Sequence, residues 1–219
     1  MRKVILLASQ SLHREIFIRY CNKIGVEFKA VFYDSKTIKP KFDTKYFYLS
    51  DEKKYESNYI NKLKSTNIKT YNVFDLNLLE NRKKILEIYD EKNDIIISFG
   101  TRKLSKEFIN DFDQQIVNLH RGIMEEYRGL DSNLWARYHK DYNNIGITLH
   151  YVNEFLDLGN IILQESLNLK DTQLFKWRTI ETIACAKIIK SYIQGYNSLP
   201  SYELSKQGRY YSFIPKLLV

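Results

Sequence analysis

Asn118 and His120 are the clearest candidates for chemistry in this sequence. They lie in the run Val117-Asn118-Leu119-His120, and residues two apart on a strand project to the same side. A carboxamide donor beside an imidazole can stabilise the oxyanion of a tetrahedral intermediate, and each such donor is typically worth about 10²–10³ in rate. The alternative is a strand end at which both polar side chains only satisfy backbone partners. This fragment alone leaves that alternative open.

A third candidate, Asp157, lies on a glycine-containing turn. A lone Asp-x-Gly is common in turns, so its weight comes from the motifs that precede it. The ordered motifs are Asn118-Leu119-His120, Tyr127-Arg128-Gly129, Gly146-Ile147-Thr148-Leu149-His150 and Leu156-Asp157-Leu158-Gly159-Asn160-Ile161. Together they resemble the folate-dependent formyltransferase family, from about Asp94 to Gln164. That family includes glycinamide ribonucleotide transformylase, the catalytic domain of methionyl-tRNA formyltransferase and the nucleotide-sugar N-formyltransferases.

The resemblance implies an enzyme that transfers a formyl group from N10-formyltetrahydrofolate to an amine. Asn118 and a protonated His120 would hold the oxyanion, while Asp157 would raise the histidine pKa and accept or relay the amine proton. No metal is expected, because none of the four histidines has a convincing set of partner ligands. Ser98–Ser105 resembles the family's folate-binding loop. The folate-binding residues that the resemblance implies are Phe99, Gly100, Thr101, Arg102, Leu104, Asn153 and Glu154.

The amine acceptor is narrowed by departures from the family pattern. Ser9–His13 lacks the glycine-rich phosphate loop of the ribonucleotide enzyme, and the chain ends before the additional C-terminal domain of the tRNA enzyme. Both family prolines are missing from the loop after His120. The first two departures favour a nucleotide-linked deoxyamino sugar, expected to carry dTDP and to serve bacterial lipopolysaccharide O-antigen biosynthesis. The segments Asp131–Ala136 and Gly208–Pro215 resemble those of nucleotide-sugar formyltransferases and favour the same acceptor. Glycinamide ribonucleotide transformylase and a non-catalytic folate- or sugar-binding module are the alternatives.

Four residues are expected to contact the acceptor: Tyr127, Arg128, Gly129 and Trp135. Arg128 would contact a diphosphate or hydroxyl group. Trp135 fits helix packing equally, and His150 fits a hydrogen bond to a neighbouring strand as well as it fits catalysis.

Alternating apolar runs and amphipathic segments predict the elements that position these residues. Strands are predicted at 3–8, 27–33, 70–74, 94–99, 115–119, 146–152 and 160–165, with helices between the early ones and a long helix over 172–194. This rhythm predicts an α/β fold: an open, mostly parallel twisted sheet with helices on both faces, Rossmann-like, and a hairpin-like strand pair near its C-terminal part. Residues 1–195 are predicted to form the catalytic domain and 196–219 an irregular C-terminal tail.

The composition is that of a globular protein in a reducing compartment. The formal charge is +8, but lysines alternate with acidic residues along the chain, which indicates solvated helix faces rather than a nucleic-acid surface. Such a charge still favours an anionic small substrate. The two cysteines are expected to be buried, reduced thiols, in keeping with a cytoplasmic protein, and no segment reaches membrane-spanning length. A homodimer is left open.

Overall fold

A computed structural model describes residues 2–36, 39–44, 48–112, 115–196 and 198–219. The strands are β1 (Lys3–Ala8), β2 (Phe28–Asp34), β3 (Thr70–Val73), β4 (Asp94–Phe99), β5 (Val117–His120), β6 (Tyr127–Gly129), β7 (Gly146–Tyr151), β8 (Ile161–Ser166) and β9 (Arg209–Tyr211). The α-helices are α1 (Leu12–Lys23), α2 (Leu49–Ile60), α3 (Leu79–Ile88), α4 (Lys106–Asp111), α5 (Ser132–Tyr138) and α6 (Leu174–Gln194), and Tyr142–Asn144 and Lys216–Leu218 are short 3₁₀ turns.

Seven of these strands form one sheet in the order β3-β2-β1-β4-β5-β7-β8. The pairs from β3 to β5 are parallel, whereas β7 pairs antiparallel with both β5 and β8. The predicted α/β fold with a mostly parallel sheet and a late hairpin is therefore confirmed. Two of the seven predicted strands, 3–8 and 94–99, coincide with β1 and β4. The boundaries of the other five differ from the observed ones by one or two residues, because strand ends depend on partners that a local pattern does not specify.

Side chains of the central strand β1 alternate between two apolar cores. Val4, Leu6 and Ala8 pack with residues of α1 and α6 on one face of the sheet. Ile5 and Leu7 pack with residues of α3 and α4 on the other. A strand covered on both faces must be apolar at every position, which explains the uninterrupted hydrophobic run at the start of the sequence.

Helix α1 begins directly after β1 and is fixed at its start by a side-chain cap. Ser11 Oγ accepts a hydrogen bond from the backbone N–H of Arg14 at 3.4 Å, as serine at a helix N-cap typically does. The helix ends before Gly25, whose φ of +84° lies in the left-handed region that favours glycine. Because α1 begins directly after β1, the N-terminus of α1 lies at the carboxyl edge of the sheet, where open α/β folds place their ligands.

The C-terminal tail contains a second, smaller sheet. Strand β9 pairs in parallel with β6, so that Tyr127–Gly129 lies beside Arg209–Tyr211. Tyr202 adds a separate antiparallel bridge to Ile161. The sequence analysis expects an irregular tail, whereas the structure contains a short strand there. A three-residue strand is too short to show a period-two pattern in the sequence.

Two further observations concern the cysteines and the helix lengths. Cys21 and Cys185 are both buried and free. Within the described part of the chain, no helix is both long and apolar enough to cross a membrane.

Removal of a core side chain from β1 tests the two-sided packing. Leu6→Ala should lower the free energy of unfolding by about 2–5 kcal/mol, because it removes buried methyl groups and leaves a cavity between the sheet and α1. Urea denaturation followed by circular dichroism measures the loss. Leu217→Ala, at a leucine that is 93% exposed, is the matched control and should change stability by less than about 0.5 kcal/mol.

Candidate active site

A cleft of about 510 Å³ opens at the carboxyl ends of β1, β4 and β5. Asn118, His120 and Asp157 all line it. The first two project from the same side of β5, as their spacing predicts. Asp157 comes from the loop that joins β7 to β8. The pairing of β5 with β7 therefore brings Asp157 to the other two residues, which lie well before it in sequence.

Asp157 occupies a tightly specified position. Its φ of +51° lies in the left-handed region, which is uncommon for a residue other than glycine. Its Oδ2 accepts a hydrogen bond from the Gly129 backbone N–H at 2.8 Å and lies 3.5 Å from His120 Nδ1. Burial opposes ionisation, but His120, His150 and the Gly129 amide together hold the pKa of Asp157 well below its ordinary value. The group is a carboxylate at neutral pH.

His120 differs from the expectation in its charge. Burial lowers its pKa below the ordinary value, and the opposing effects of Asp157 and of the hydrogen bond to Tyr127 do not offset that loss of solvation. This direction favours the neutral ring at neutral pH over the protonated one that the sequence analysis expects, and the charge state of His120 in the reaction stays a prediction. His120 Nε2 lies 3.0 Å from the Tyr127 carbonyl oxygen, so the neutral ring donates there, and Nδ1 faces Asp157.

His150 is hydrogen-bonded to Asn118 and lies near Asp157. It lies directly opposite Asn118 in the β5–β7 register, and its Nε2 is 3.0 Å from Asn118 Nδ2 and 3.7 Å from Asp157 Oδ1. His150 Nδ1 donates to the Tyr151 carbonyl at 2.8 Å, which leaves Nε2 as an acceptor for an Asn118 N–H. His150 thus makes the hydrogen bond to a neighbouring strand that the sequence allows, through Asn118 of β5, and its role in catalysis stays a prediction.

Two glycines make room for these rings. A Cβ at Gly122 would lie 2.5 Å from His120 Nε2, and one at Gly159 would lie 1.7 Å from the Tyr151 carbonyl oxygen. Neither distance is possible without displacement of the neighbour. Gly122 and Gly159 are therefore explained by close approach to the His120 ring and to the Tyr151 carbonyl beside His150.

The expected folate-binding residues line one end of the cleft, with one exception. Phe99, Gly100, Thr101, Arg102, Leu104 and Asn153 are among the lining residues. Glu154 is not among them and pairs with Lys106 at 3.9 Å, and its expected folate contact stays a prediction. Leu104, Val152 and Leu156 add apolar surface there, as a flat ring system requires.

Arg102 is tied to the protein rather than left open for a ligand. Its Nη2 lies 2.6 Å from Asp75 Oδ1 and 3.3 Å from Asp34 Oδ2, and its Nε donates to the Lys36 carbonyl at 3.0 Å. These contacts fix the loop after β4 to the ends of β2 and β3. Arg102 thus shapes the expected folate end of the cleft by positioning that loop.

The structure revises most of the expected acceptor contacts. Arg128 does not line the cleft, and it donates to the carbonyls of Gly208 and Leu156, at 2.7 and 3.1 Å. Trp135 stacks on Tyr211 at 4.8 Å and donates to the Ser212 carbonyl. Tyr127 also stacks on Tyr211. Of the four expected residues, only Gly129 lines the cleft.

The remaining wall of the cleft was not found from the sequence. It is lined by charged side chains from four separate elements and loops: Arg14, Glu52, Arg121, Arg178 and Glu181. Arg178 Nη1 lies 3.1 Å from Glu52 Oε1, and Arg121 Nη1 lies 3.4 Å from Glu181 Oε2. Burial raises the pKa of Glu52 to about 7, against the effect of Arg178. No local motif joins these residues, because only tertiary packing brings α1, α2 and α6 together.

Comparison with known proteins identifies the class to which this fold and site belong. The sequence model of the Formyl transferase family matches residues 20–177, and the chain belongs to that family. The resemblance inferred from the ordered motifs is therefore confirmed. Among the described residues, no group of three or more histidine, cysteine, aspartate or glutamate side chains is arranged to hold a metal ion.

Individual relatives are more distant. The chain is 34% identical over 83 residues to a formyltetrahydrofolate deformylase of Escherichia coli, which covers 36% of this chain and 28% of that protein. The chain thus spans less than a third of that relative's length.

Solved structures of two kinds of enzyme share the fold of this chain. The N-formyltransferase from Helicobacter canadensis, in complex with folinic acid and dTDP-3-aminofucose, has a TM-score of 0.59 and 19% identity, over 97% of this chain and 71% of that one. Glycinamide ribonucleotide transformylase 1 from Symbiobacterium toebii has a TM-score of 0.62 and 14% identity, over 94% and 95%. At these identities the likeness establishes the fold.

The balance of charge between His120 and Asp157 can be measured directly. In Asp157→Asn the pKa of His120 should fall further below its wild-type value, because the substitution removes the carboxylate that favours the imidazolium. Titration of the histidine Cε1–H signals by NMR measures this change. The His139 signal, from a ring outside the cleft, reports whether the fold is intact. A rise in the His120 pKa would contradict the arrangement described.

Proposed function

We infer that this protein transfers a formyl group from N10-formyltetrahydrofolate to the amine of a nucleotide-linked deoxyamino sugar. The observation that carries this proposal is the meeting of Asn118, His120 and Asp157 in one cleft, with His150 hydrogen-bonded to the first and near the last. A binding module would have no need of an oriented amide, a neutral imidazole and a buried carboxylate together. The family membership supports the same chemistry.

Asn118 would stabilise the negative charge that develops on the formyl oxygen. One of its two amide N–H groups is used by His150 Nε2 at 3.0 Å, which fixes the plane of the carboxamide. The second N–H can then donate to the oxyanion without reorganisation, which is the source of this kind of stabilisation. The folate co-substrate supplies the formyl carbon that the amine attacks.

His120 and Asp157 would manage the proton that the amine loses. A neutral His120 can accept a proton, which a protonated one cannot, so the lowered pKa suits a base. The Asp157 carboxylate, 3.5 Å from His120 Nδ1, would stabilise the imidazolium so formed. The Gly129 amide holds that carboxylate in place from the other side.

The cleft fits the folate co-substrate at the end lined by Phe99–Leu104. There the cleft combines apolar side chains with the polar backbone of a loop held rigid by Arg102. These residues, with Asn153, would hold the pterin ring beside Asn118. The acceptor would enter from the charged wall opposite.

An amino sugar is the proposed acceptor on several grounds. The Helicobacter canadensis neighbour is a complex with folinic acid and dTDP-3-aminofucose, and the glycine-rich phosphate loop expected of the ribonucleotide enzyme is absent after β1. We assign the reaction to the synthesis of a bacterial surface polysaccharide, in the cytoplasm. Tyr210 and Phe213, which line the cleft from the tail, would face this acceptor.

Hydrolysis of the formyl donor is a second candidate. The sequence likeness to formyltetrahydrofolate deformylase, 34% over 83 residues, favours it. Water would then replace the amine at the same Asn118, His120 and Asp157. The two reactions differ in their product, since hydrolysis releases formate and transfer does not.

The deciding experiment supplies N10-formyltetrahydrofolate with a panel of amines and follows both products. Mass spectrometry detects a formylated dTDP- or UDP-amino sugar, and an enzymatic assay detects formate. Formylation of glycinamide ribonucleotide alone would overturn the sugar assignment. Formate released without any amine would favour hydrolysis. Folate binding with neither product would favour a binding module.

Asn118→Ala should reduce kcat by about 10²–10³-fold with a much smaller change in KM, because it removes a donor that acts on the transition state. Steady-state kinetics of formyl transfer measures both constants. Asn144→Ala is the matched control, since Asn144 bonds Asp141 away from the cleft, and its kinetics should match the wild type. A rise in KM at unchanged kcat would contradict the oxyanion role.

A further inference from the structure

Arg14 holds the start of the loop that follows β4. It lies in the first turn of α1, and its side chain is buried. Its Nε donates to the Phe99 carbonyl at 2.7 Å, and its Cζ lies 3.8 Å from the centre of the Phe99 ring. Phe17, three residues further along the helix, contacts the same ring, with the two ring centroids 4.9 Å apart. One face of α1 therefore fixes both the backbone and the ring of Phe99.

Gly100 fits closely against this contact. Strand β4 ends at Phe99, and the chain turns at Gly100 with a φ of +68°, in the left-handed region that favours glycine. A Cβ at Gly100 would lie 1.5 Å from Arg14 Nη2, so a larger residue would displace the guanidinium. The absence of a side chain at Gly100 thus allows the turn and also makes room for Arg14.

The same loop lies beside Asn118. Ser98 is opposite Asn118 in the parallel register of β4 and β5, so the loop begins one residue beyond that pair. Within the loop, Ser98 Oγ and Thr101 Oγ1 are 2.7 Å apart, and Arg102 ties the far end to β2 and β3. Arg14 supplies the corresponding tie at the near end. Movement of this near end would change the distance between the expected folate site and Asn118.

Stability alone does not account for an arginine at this place. Nη1 of Arg14 is fully buried and has no hydrogen-bond partner among the residues that the structure describes. A buried charge with an unsatisfied donor disfavours the folded state, and an apolar side chain of similar length would avoid that loss. Such residues persist where an interaction that lowers stability serves binding or catalysis.

We propose that Arg14 is a positioning residue for the folate co-substrate: it holds Phe99 and Gly100 in the conformation that accepts the donor beside Asn118. The proposal rests on the proposed function in placing the folate at this end of the cleft. Arg14 acts through the loop and not on the ligand, since its hydrogen bond and its ring contact are both directed at Phe99. A preformed loop raises affinity, because less conformational freedom is lost when the ligand binds.

The affinity for 5-formyltetrahydrofolate reports on the loop without any reaction. Isothermal titration calorimetry should detect its binding to the wild type. Arg14→Met should weaken that binding at least about tenfold, because the charge-assisted hydrogen bond that holds the loop is lost. Arg14→Lys, which can still donate to the Phe99 carbonyl, should restore part of the affinity.

Arg19→Met is the matched control for this titration. Arg19 lies on the same helix but pairs with Glu15 away from the cleft, so the substitution should change the folate affinity less than about twofold. An unchanged affinity in Arg14→Met would overturn the proposal. Failure of the wild type to bind 5-formyltetrahydrofolate would overturn it as well.

Thermal unfolding and kinetics separate positioning from a general structural role. Without ligand, Arg14→Met should leave the midpoint of unfolding unchanged or raise it, because a buried charge with an unsatisfied donor is removed. In formyl transfer, the KM for N10-formyltetrahydrofolate should rise while kcat stays within about threefold of the wild-type value. A large fall in the midpoint would show that Arg14 supports the fold as a whole and would overturn the proposal.

Gly100→Ala tests the contact from its other side. The new Cβ would displace the guanidinium, so the folate affinity should fall in the wild-type background. In Arg14→Met, whose flexible side chain can give way, the same substitution should cause a smaller further loss, so that the two effects do not add. Equal losses in both backgrounds would show that strain at the left-handed φ of Gly100 acts alone, and would contradict the proposed contact.

The outcome is distinguishable from that of the proposed function, because folate binding needs no acceptor. If the folate affinity depends on Arg14 while no amino sugar is formylated, the positioning role stands and the acceptor assignment fails. If amino sugars are formylated while the KM for the donor does not depend on Arg14, the positioning role fails alone.

Discussion

The carboxylate of Asp157 is the point at which three otherwise separate parts of the chain meet. It accepts the Gly129 amide of β6, faces His120 of β5 and lies near His150 of β7. A single buried negative charge therefore fixes the loop that carries it, the ring beside it and the small sheet above it. Because burial of a carboxylate is costly, each of these partners is needed for its ionised form. The left-handed backbone of Asp157 is tolerated for the same reason.

The Asp157 carboxylate also affects the pKa of His120, and the other side chains of the site are oriented by hydrogen bonds. Burial lowers the pKa of His120 more than the Asp157 carboxylate raises it. The same carboxylate would stabilise the imidazolium that forms when the ring takes up a proton. Asn118 is oriented by His150, and His150 is itself fixed by the Tyr151 carbonyl. Hydrogen bonds across β5 and β7 thus fix these side chains together rather than one by one.

The sequence predicts the fold and part of this site well, for identifiable reasons. Buried parallel strands such as β1 and β4 must be apolar throughout, and Asn118 and His120 are close enough in sequence for strand geometry to pair them. The position of Asp157 depends on the family pattern, because its partners come from other strands. Arg14, Arg121 and Arg178, which line the charged wall, form no motif in the sequence. Arg128 resembles a ligand-binding arginine in the sequence, and only the structure shows that it donates to two backbone carbonyls.

The parallel pairing of β6 with β9 has a kinetic consequence. Arg128 bonds Gly208 across 80 residues, and the same small sheet carries the Gly129 amide on which Asp157 depends. Contacts so distant in sequence must overcome the entropy of closing a long loop. During synthesis, the seven-stranded sheet can assemble before β9 emerges. The nascent chain would therefore acquire its architecture first and its catalytic electrostatics only afterwards.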